Sequence, residues 1–445
     1  MQEKVTVIGG GLAGSECALQ LAKRGVAVRL VEQRPQHRSP AHHTDLFAEL
    51  VCSNSLKSTK PDSAAGLLKR ELEGMGSYLL GFARQAAVAA GGALAVDREV
   101  FSRLVTKAIE DEPLIEVVHE EAKSIPDGPC VLAAGPLCAD ELFHSIETVV
   151  GEGHMSFFDA AAPIVDADSI DRGVVFSQSR YEEGTGDYLN CPMEKDEYER
   201  FIDALLSAER VIARDFEQND LFCACQPVEE VARTGRDAIR FGALKPVGLT
   251  DPRTGHRPWA AVQLRAENSD KTAYNLVGFQ TNLTWPEQRR VFRLIPGLEQ
   301  AEFLRYGVMH RNSFVDSPHV LDATFKIPGT QARLAGQICG TEGYVEAIAS
   351  GLLAALNTFA DMNGLPEVSL PRTTSFGALV AYAIDPQTKD YQPMHVNFGL
   401  VPPLAEHIRN KGERRAALAR RAEADFDSFV ESRPDLGLPG VAHER

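Results

Sequence analysis

The run Gly9-Gly10-Gly11-Leu12-Ala13-Gly14 limits what this chain can fold into more than any other feature. It follows the short apolar stretch KVTVI, residues 4–8, which predicts a strand. A helical pattern, SECALQLAKRG, comes after it, with Gly25 in the position that ends a helix. A second apolar stretch, VAVRLVE, then ends on Glu32. Each part has a physical task. The first glycine makes a tight turn, the second lets the backbone approach a pyrophosphate, and Gly14 lets helix and strand pack closely. The helix N-terminus attracts phosphate charge, and an acid at the end of the second strand accepts hydrogen bonds from ribose hydroxyls. A lone glycine motif is weak evidence, but between strand and helix, with Glu32 placed as it is, it predicts a Rossmann-like dinucleotide-binding domain.

Two later segments favour FAD over NAD. PCVLAAGPL, residues 129–137, predicts a strand running into Gly135, where a flavin domain returns to its cofactor. ARLAGQICGTEGYVEAIASGLLAALN, residues 332–357, predicts a strand, a glycine turn and a long helix, with Gly336, Gly340 and Gly343 allowing close approach. Alone, that second segment also reads as a plain β–turn–α unit, but the recurrence of all three elements at opposite ends of the chain argues against that reading. No second GxGxxG sits in a βαβ context, so a pyridine nucleotide has no domain of its own and must dock over the flavin.

The middle of the chain mixes helix and strand patterns. AAPIVDADSI, AIRFGAL, WAAVQLRA and AYNLVGFQT read as strands, and EKDEYERFIDALLSAERV as an amphipathic helix. The expected architecture is α/β: a Rossmann-like FAD-binding domain in two parts, 1–165 and 305–445, with a smaller mixed α/β domain, 166–304, inserted between them. A substrate cleft is expected between the two domains. Near the end, HIRNKGERRAALARRAEADFDSF predicts a final helix with a basic cluster that includes Arg409, Lys411, Arg414 and Arg415. Those residues read either as a solvated face or as an RNA-backbone contact. The formal net charge of −16 argues against general coating of nucleic acid and leaves room for such a local patch. The N-terminus reads as a strand and not as an export signal. No apolar run approaches the roughly 18 residues of a membrane span. The eight scattered cysteines fit reduced thiols, so a cytoplasmic protein is expected.

ELVCSNSLKS, residues 49–58, sets Cys52 before Ser-Asn-Ser, whose amides suit turns and caps and can stabilise a thiolate, with Lys57 adding positive charge. From these residues alone Cys52 is a buried small hydrophobe, half of a redox disulfide or a nucleophile. Cys17 and Cys130 read as core. Cys223-x-Cys225 lacks a second ligand pair for zinc, so no metal is expected.

Eight blocks together, VIGGGLAGSE, PAHHTDLFAELVCSNSL, GGALAVDRE, YLNCPM, CQPVEE, MHRN, AGQICGTEGYVEA and NFGLVPPL, resemble the folate- and FAD-dependent tRNA (uracil-5-)-methyltransferases of bacteria. The blocks run from residue 4 to about residue 404. The resemblance implies a flavoprotein that makes 5-methyluridine in the T-loop of tRNA. The carbon comes from 5,10-methylenetetrahydrofolate and the reducing equivalents from NADH or NADPH. It also implies catalytic roles for Cys52 and Cys225, one as the nucleophile that adds to uracil C6 and the other as the base that removes the C5 proton. The Ser-Asn-Ser amides and Lys57 favour Cys52 as the nucleophile, with the reverse assignment open. His310, Arg311, Asn312, Glu342 and Tyr344 are implied to hold the folate pterin or to brace the flavin. Gly9, Gly10, Gly11, Leu12, Ala13, Gly14, Glu32, Gly135, Gly336 and Gly343 are the expected cofactor-binding residues. Three rivals stay open: methylation of ribosomal RNA, a flavin disulfide or NAD(P)H oxidoreductase without RNA, and a non-catalytic flavin-bearing RNA-binding protein.

Overall fold

The computed structural model describes residues 4–38, 42, 44–51, 54–88, 92–151, 155–158, 162–180, 186, 188–211, 227–266, 271–307, 312–388 and 391–441. The chain forms two compact units, Met1–Phe157 with Ser313–Arg445, and Phe158–Asn312.

The first unit is built on a five-stranded sheet. Its spatial order is Ile115–His119, Val28–Glu32, Val5–Ile8, Cys130–Leu132, Ala332–Leu334. Every pairing is parallel. Numbered along the chain that order is 3-2-1-4-5, in which the sheet reverses direction at Val5–Ile8. The strands are apolar because helices cover the sheet, and Val5, Val7, Val28, Leu30, Val131 and Leu334 are buried. The helix Leu12–Lys23 follows the first strand, and the helix Tyr344–Asn363 packs on it where Gly351 meets the Ala13 backbone. A Cβ on Gly351 would stand 2.1 Å from the Ala13 carbonyl oxygen, so only glycine allows this approach.

Buried glutamates tie the helices of this unit together. Glu71 accepts hydrogen bonds from the Ser375 and Phe376 amides at 2.6 and 2.9 Å, capping the helix Ser375–Ala383 from across the fold. Glu16 does the same for the helix Tyr78–Gln85, taking the Tyr78 and Leu79 amides at 3.1 and 2.8 Å. The last helix is Lys411–Ser432, and Phe426 packs over Gly74 of the helix Ala64–Met75. It begins later than the sequence pattern from His407 suggests. Asn410 is the cap, and its side chain accepts the Glu413 amide at 3.1 Å.

The second unit holds a six-stranded sheet in the order Phe176–Ser177, Tyr188–Met193, Ala260–Ala266, Ala273–Leu276, Ile164–Asp166, Phe303–Arg305. All its pairings are antiparallel. Helices Lys195–Ser207 and Trp285–Phe292 cover a core containing Phe201, Leu264, Phe279, Phe292 and Ile295. The helix Lys195–Ser207 starts at a capping box between Glu194 and Glu197. The AIRFGAL strand is corrected. Ala238–Phe241 is a 3-10 turn in which Ile239 is buried and Phe241 is 83% exposed. Arg240 lies over the Trp259 ring at 3.8 Å from its centroid, so the segment never alternates as a strand must.

Candidate cofactor and active site

The glycine loop lies at the C-terminal end of the central strand, where the sheet order reverses and open α/β sheets take their ligands. Gly9 adopts φ +99°, and a Cβ there would lie 2.4 Å from the Ala133 carbonyl oxygen. A Cβ on Gly14 would stand 1.8 Å from the Gly9 oxygen. Gly10 has Phe47 against it and donates its amide to Glu32 Oε2 at 2.7 Å. Gly11 is different, because nothing lies within 4 Å of the place a side chain would take. It is the N-cap of Leu12–Lys23 and offers no side-chain cap to the first-turn amides of that helix. Gly135, at φ +70°, also has open space beside it. Leu12 and Ala13 are buried and pack the helix in place.

Glu32 is held by more than position. Its Oε1 accepts the Arg34 amide at 3.0 Å and the Arg34 Nε at 2.8 Å, and its Oε2 has the Gly10 amide. Burial alone would raise this carboxyl, but the Arg34 hydrogen bonds and charge and the Gly10 amide outweigh it and hold the pKa below the ordinary value. Glu32 is therefore ionised, with lone-pair capacity left on Oε2. Arg34 is buried and also reaches the Leu46 carbonyl at 2.8 Å and the Glu49 carboxylate at 3.5 Å. Sequence reasoning missed Arg34 and Phe47. The Glu-x-Arg spacing after the second strand was the available signal for the arginine, while Phe47 carried none.

At the other glycine turn, Gly336 adopts φ +81° and donates its amide to Ser350 Oγ at 2.7 Å. Gly343, φ +122°, is the N-cap of Tyr344–Asn363. Tyr344 is the first residue of that helix, and Glu342 donates its backbone amide to the Met394 carbonyl at 2.9 Å. This turn also meets the segment after Cys52. Lys57, in the left-handed region at φ +64°, puts its Nζ 3.2 Å from Glu346 Oε1, and Glu346 is buried in the first turn of the same helix. Glu346 Oε2 has no hydrogen-bond partner among the described residues. Ser55 Oγ accepts the Lys57 amide at 3.2 Å, and Asn54 donates to the Val96 carbonyl at 3.2 Å. Ser55–Ser58 is a short strand that pairs antiparallel with Ala93–Val96 across an irregular register, so these polar residues follow the thiol as an edge of sheet and not as the turn their types suggest.

Cys52, Cys223, Cys225, His310 and Arg311 lie outside the described residues. Asn312 opens the strand Asn312–Val315. The described cysteines are 17, 130, 138, 191 and 339. Burial pushes the Cys130, Cys138 and Cys339 thiols to about 12 and raises Cys17 and Cys191 as well, so none of the five is a thiolate at neutral pH. Among the described residues no His, Cys, Asp and Glu group could hold a metal ion, and no helix is long and apolar enough to cross a membrane.

Of the basic cluster, Arg409 is exposed before the Asn410 cap, while Lys411, Arg414 and Arg415 are half-buried in the first turns of the last helix. The helix dipole favours cations at the opposite end, so it does not account for this placement. Arg421 is spent on the Pro402 and Pro403 carbonyls.

Comparison with known proteins adds the following. The family described as glucose inhibited division protein A matches residues 4–366. The chain is 54% identical to methylenetetrahydrofolate–tRNA-(uracil-5-)-methyltransferase TrmFO of Geobacter sulfurreducens, over 97% of this chain and 99% of that one. It is 51% identical to the protein of the same name from Acetivibrio thermocellus, again over 97% and 99%. Among solved structures, Aquifex aeolicus GidA in its form II crystal superposes with a TM-score of 0.51 at 16% identity. That match covers 98% of this chain and 74% of that one, and it speaks to the fold alone.

Proposed function

The chain belongs to the glucose inhibited division protein A family and, within it, to the methylenetetrahydrofolate–tRNA-(uracil-5-)-methyltransferases. From that premise we propose that it methylates C5 of a uridine in the T-loop of tRNA. It uses 5,10-methylenetetrahydrofolate as carbon donor, bound FAD, and NADH or NADPH as reductant, in the cytoplasm. The observation that carries the reading is the end-to-end relationship to these methyltransferases, joined to a glycine loop whose geometry fits a dinucleotide.

The fit to FAD rests on this chain's own atoms. The space at Gly11 and Gly135 and the uncapped first-turn amides suit a pyrophosphate, and the open lone pair of Glu32 Oε2 suits a ribose hydroxyl. Gly336 and Gly343, both in the left-handed region, let the turn pass close to Ala13 and to Glu346 and Lys57, and this turn is assigned to the flavin side. When bound and reduced by NADH or NADPH, FAD would supply the hydride that turns the one-carbon group on uracil into a methyl. Cys52 adds as thiolate to uracil C6, which makes C5 a carbon nucleophile, and Cys225 accepts the C5 proton once the new bond has formed. The raised pKa of the five described thiols leaves Cys52, Cys223 and Cys225 as candidates, and the sequence blocks around Cys52 and Cys225 favour those two. His310, Arg311, Asn312, Glu342 and Tyr344 hold the pterin. Arg409, Lys411, Arg414 and Arg415 contact RNA phosphates, and their presence at a helix N-terminus, against the dipole, supports that role.

The test is carbon transfer. Purified holoenzyme, an unmodified tRNA transcript, labelled methylenetetrahydrofolate and NADPH should yield label in 5-methyluridine at one T-loop position. Label that enters only from S-adenosylmethionine, or NADPH oxidation with no RNA product, would overturn the reading.

A further inference from the structure

The second unit carries a stack of rings that its core does not require. Trp285, the first residue of the helix Trp285–Phe292, is 58% exposed. One face of its indole lies on Tyr306, with centroids 5.6 Å apart and planes 14° from parallel. Tyr306 lies in turn on Phe303, at 5.2 Å and 17°, and Phe303 leans on the fully buried Phe292. The stack is therefore rooted in the core at one end and ends at the other in an open indole face. Arg289, one helical turn beyond Trp285 and exposed, donates its Nε to the Tyr306 hydroxyl at 3.1 Å. That bond fixes the guanidinium beside the stack, and no carboxylate pairs with it among the described residues. The other tryptophan, Trp259, contrasts with this. Arg240 and Lys195 lie against its ring at 3.8 and 5.3 Å, so its surface is already used within the protein.

A rigid, flat, open aromatic face beside a fixed guanidinium matches one ligand chemistry well. A nucleobase covers the ring, and its phosphate or base edge meets the planar donors. Arg290 is paired with Glu287 at 2.5 Å, so Arg289 is the guanidinium of this helix left to meet an anionic ligand, on a chain whose net charge is −16. We propose that Trp285 is a stacking platform for an unpaired base of the RNA substrate, with Tyr306 and Phe303 as its support and Arg289 as the adjoining polar contact. This rests on the reading that the substrate is RNA.

The holoenzyme is assayed as wild type, Trp285→Ala and Trp285→Phe, with a T-arm hairpin transcript and with a fully paired duplex of equal length. Trp285→Ala should raise KM for the hairpin about tenfold or more, as loss of one stacked base does. Flavin content and NADPH oxidation without RNA should stay as in wild type, and Trp285→Phe should restore most of the affinity. The hairpin should quench tryptophan emission in wild type, whereas the duplex should not, and neither should quench it in Trp285→Phe. An unchanged KM in Trp285→Ala, or equal quenching by the duplex, overturns the platform. So does a change in sedimentation with RNA affinity intact, which would assign the face to a second copy of the chain. If the hairpin quenches Trp285 while wild type transfers no folate carbon, the platform stands and the methylation reading fails.

Discussion

Two glycines three residues apart, Gly11 and Gly14, separate packing from ligand binding. Gly14 has the Gly9 carbonyl where its side chain would go, while Gly11 faces open space at an ordinary φ of −76°. Gly14→Ala is therefore expected to cost about 1–3 kcal/mol through overpacking, and to lower both melting temperature and flavin content. Gly11→Ala should fold with the stability of the wild-type apoprotein yet bind FAD weakly, because its methyl occupies the pyrophosphate approach. Flavin absorbance per protein and apoprotein melting curves check both. A Gly11→Ala protein with full flavin would remove the pyrophosphate from that space. The motif was legible at this scale because each glycine answers a local need. Arg34 was not, because its importance comes from Glu32, Leu46 and Glu49 converging on one buried guanidinium.

Elements are held together by contacts that no local pattern reveals. Glu71 caps a helix some three hundred residues away in the chain, and its partners are bare amides that any residue could supply. Burial dominates at this carboxyl, the two amides offset it only in part, and its pKa is pushed up to about 7 from 4.5. The folded state thus keeps a proton that the unfolded chain gives up. The contribution is fully present below the unfolded value and is lost as pH rises through the folded one. Between about pH 5 and pH 8 the wild type should lose stability relative to Glu71→Gln, by on the order of 3 kcal/mol at most. Denaturant unfolding of the two proteins at both pH values measures it, and a pH-independent difference would contradict it. Other element-level signals were present and unevenly read. Asn410 with Glu413 three residues on is an N-terminus signature that marks the true start of the last helix. AIRFGAL gave a strand-like pattern because hydrophobicity alone does not register that Phe241 faces solvent.

At the scale of the whole molecule, the parallel sheet in 3-2-1-4-5 order puts the glycine loop, Gly135 and Gly336 on strands that neighbour one another, although the last lies two hundred residues further along. That convergence was readable because βα units repeat a recognisable pattern. The antiparallel sheet of the second unit was less so, since its strands pair across long intervals, as Ile164–Asp166 does with Ala273–Asn275. The roles of Cys52 and Cys225 remain a chemical proposal, and one measurement addresses it directly. A T-arm RNA carrying 5-fluorouridine at the target position has no C5 proton to surrender, so the thiol that attacks C6 stays bonded to it. After incubation with holoenzyme, methylenetetrahydrofolate and NADPH, peptide mass spectrometry of the covalent complex should place the nucleotide on Cys52, and Cys52→Ala should form no complex while keeping its flavin. A nucleotide found on Cys225, or a stable complex in Cys52→Ala, would contradict the account.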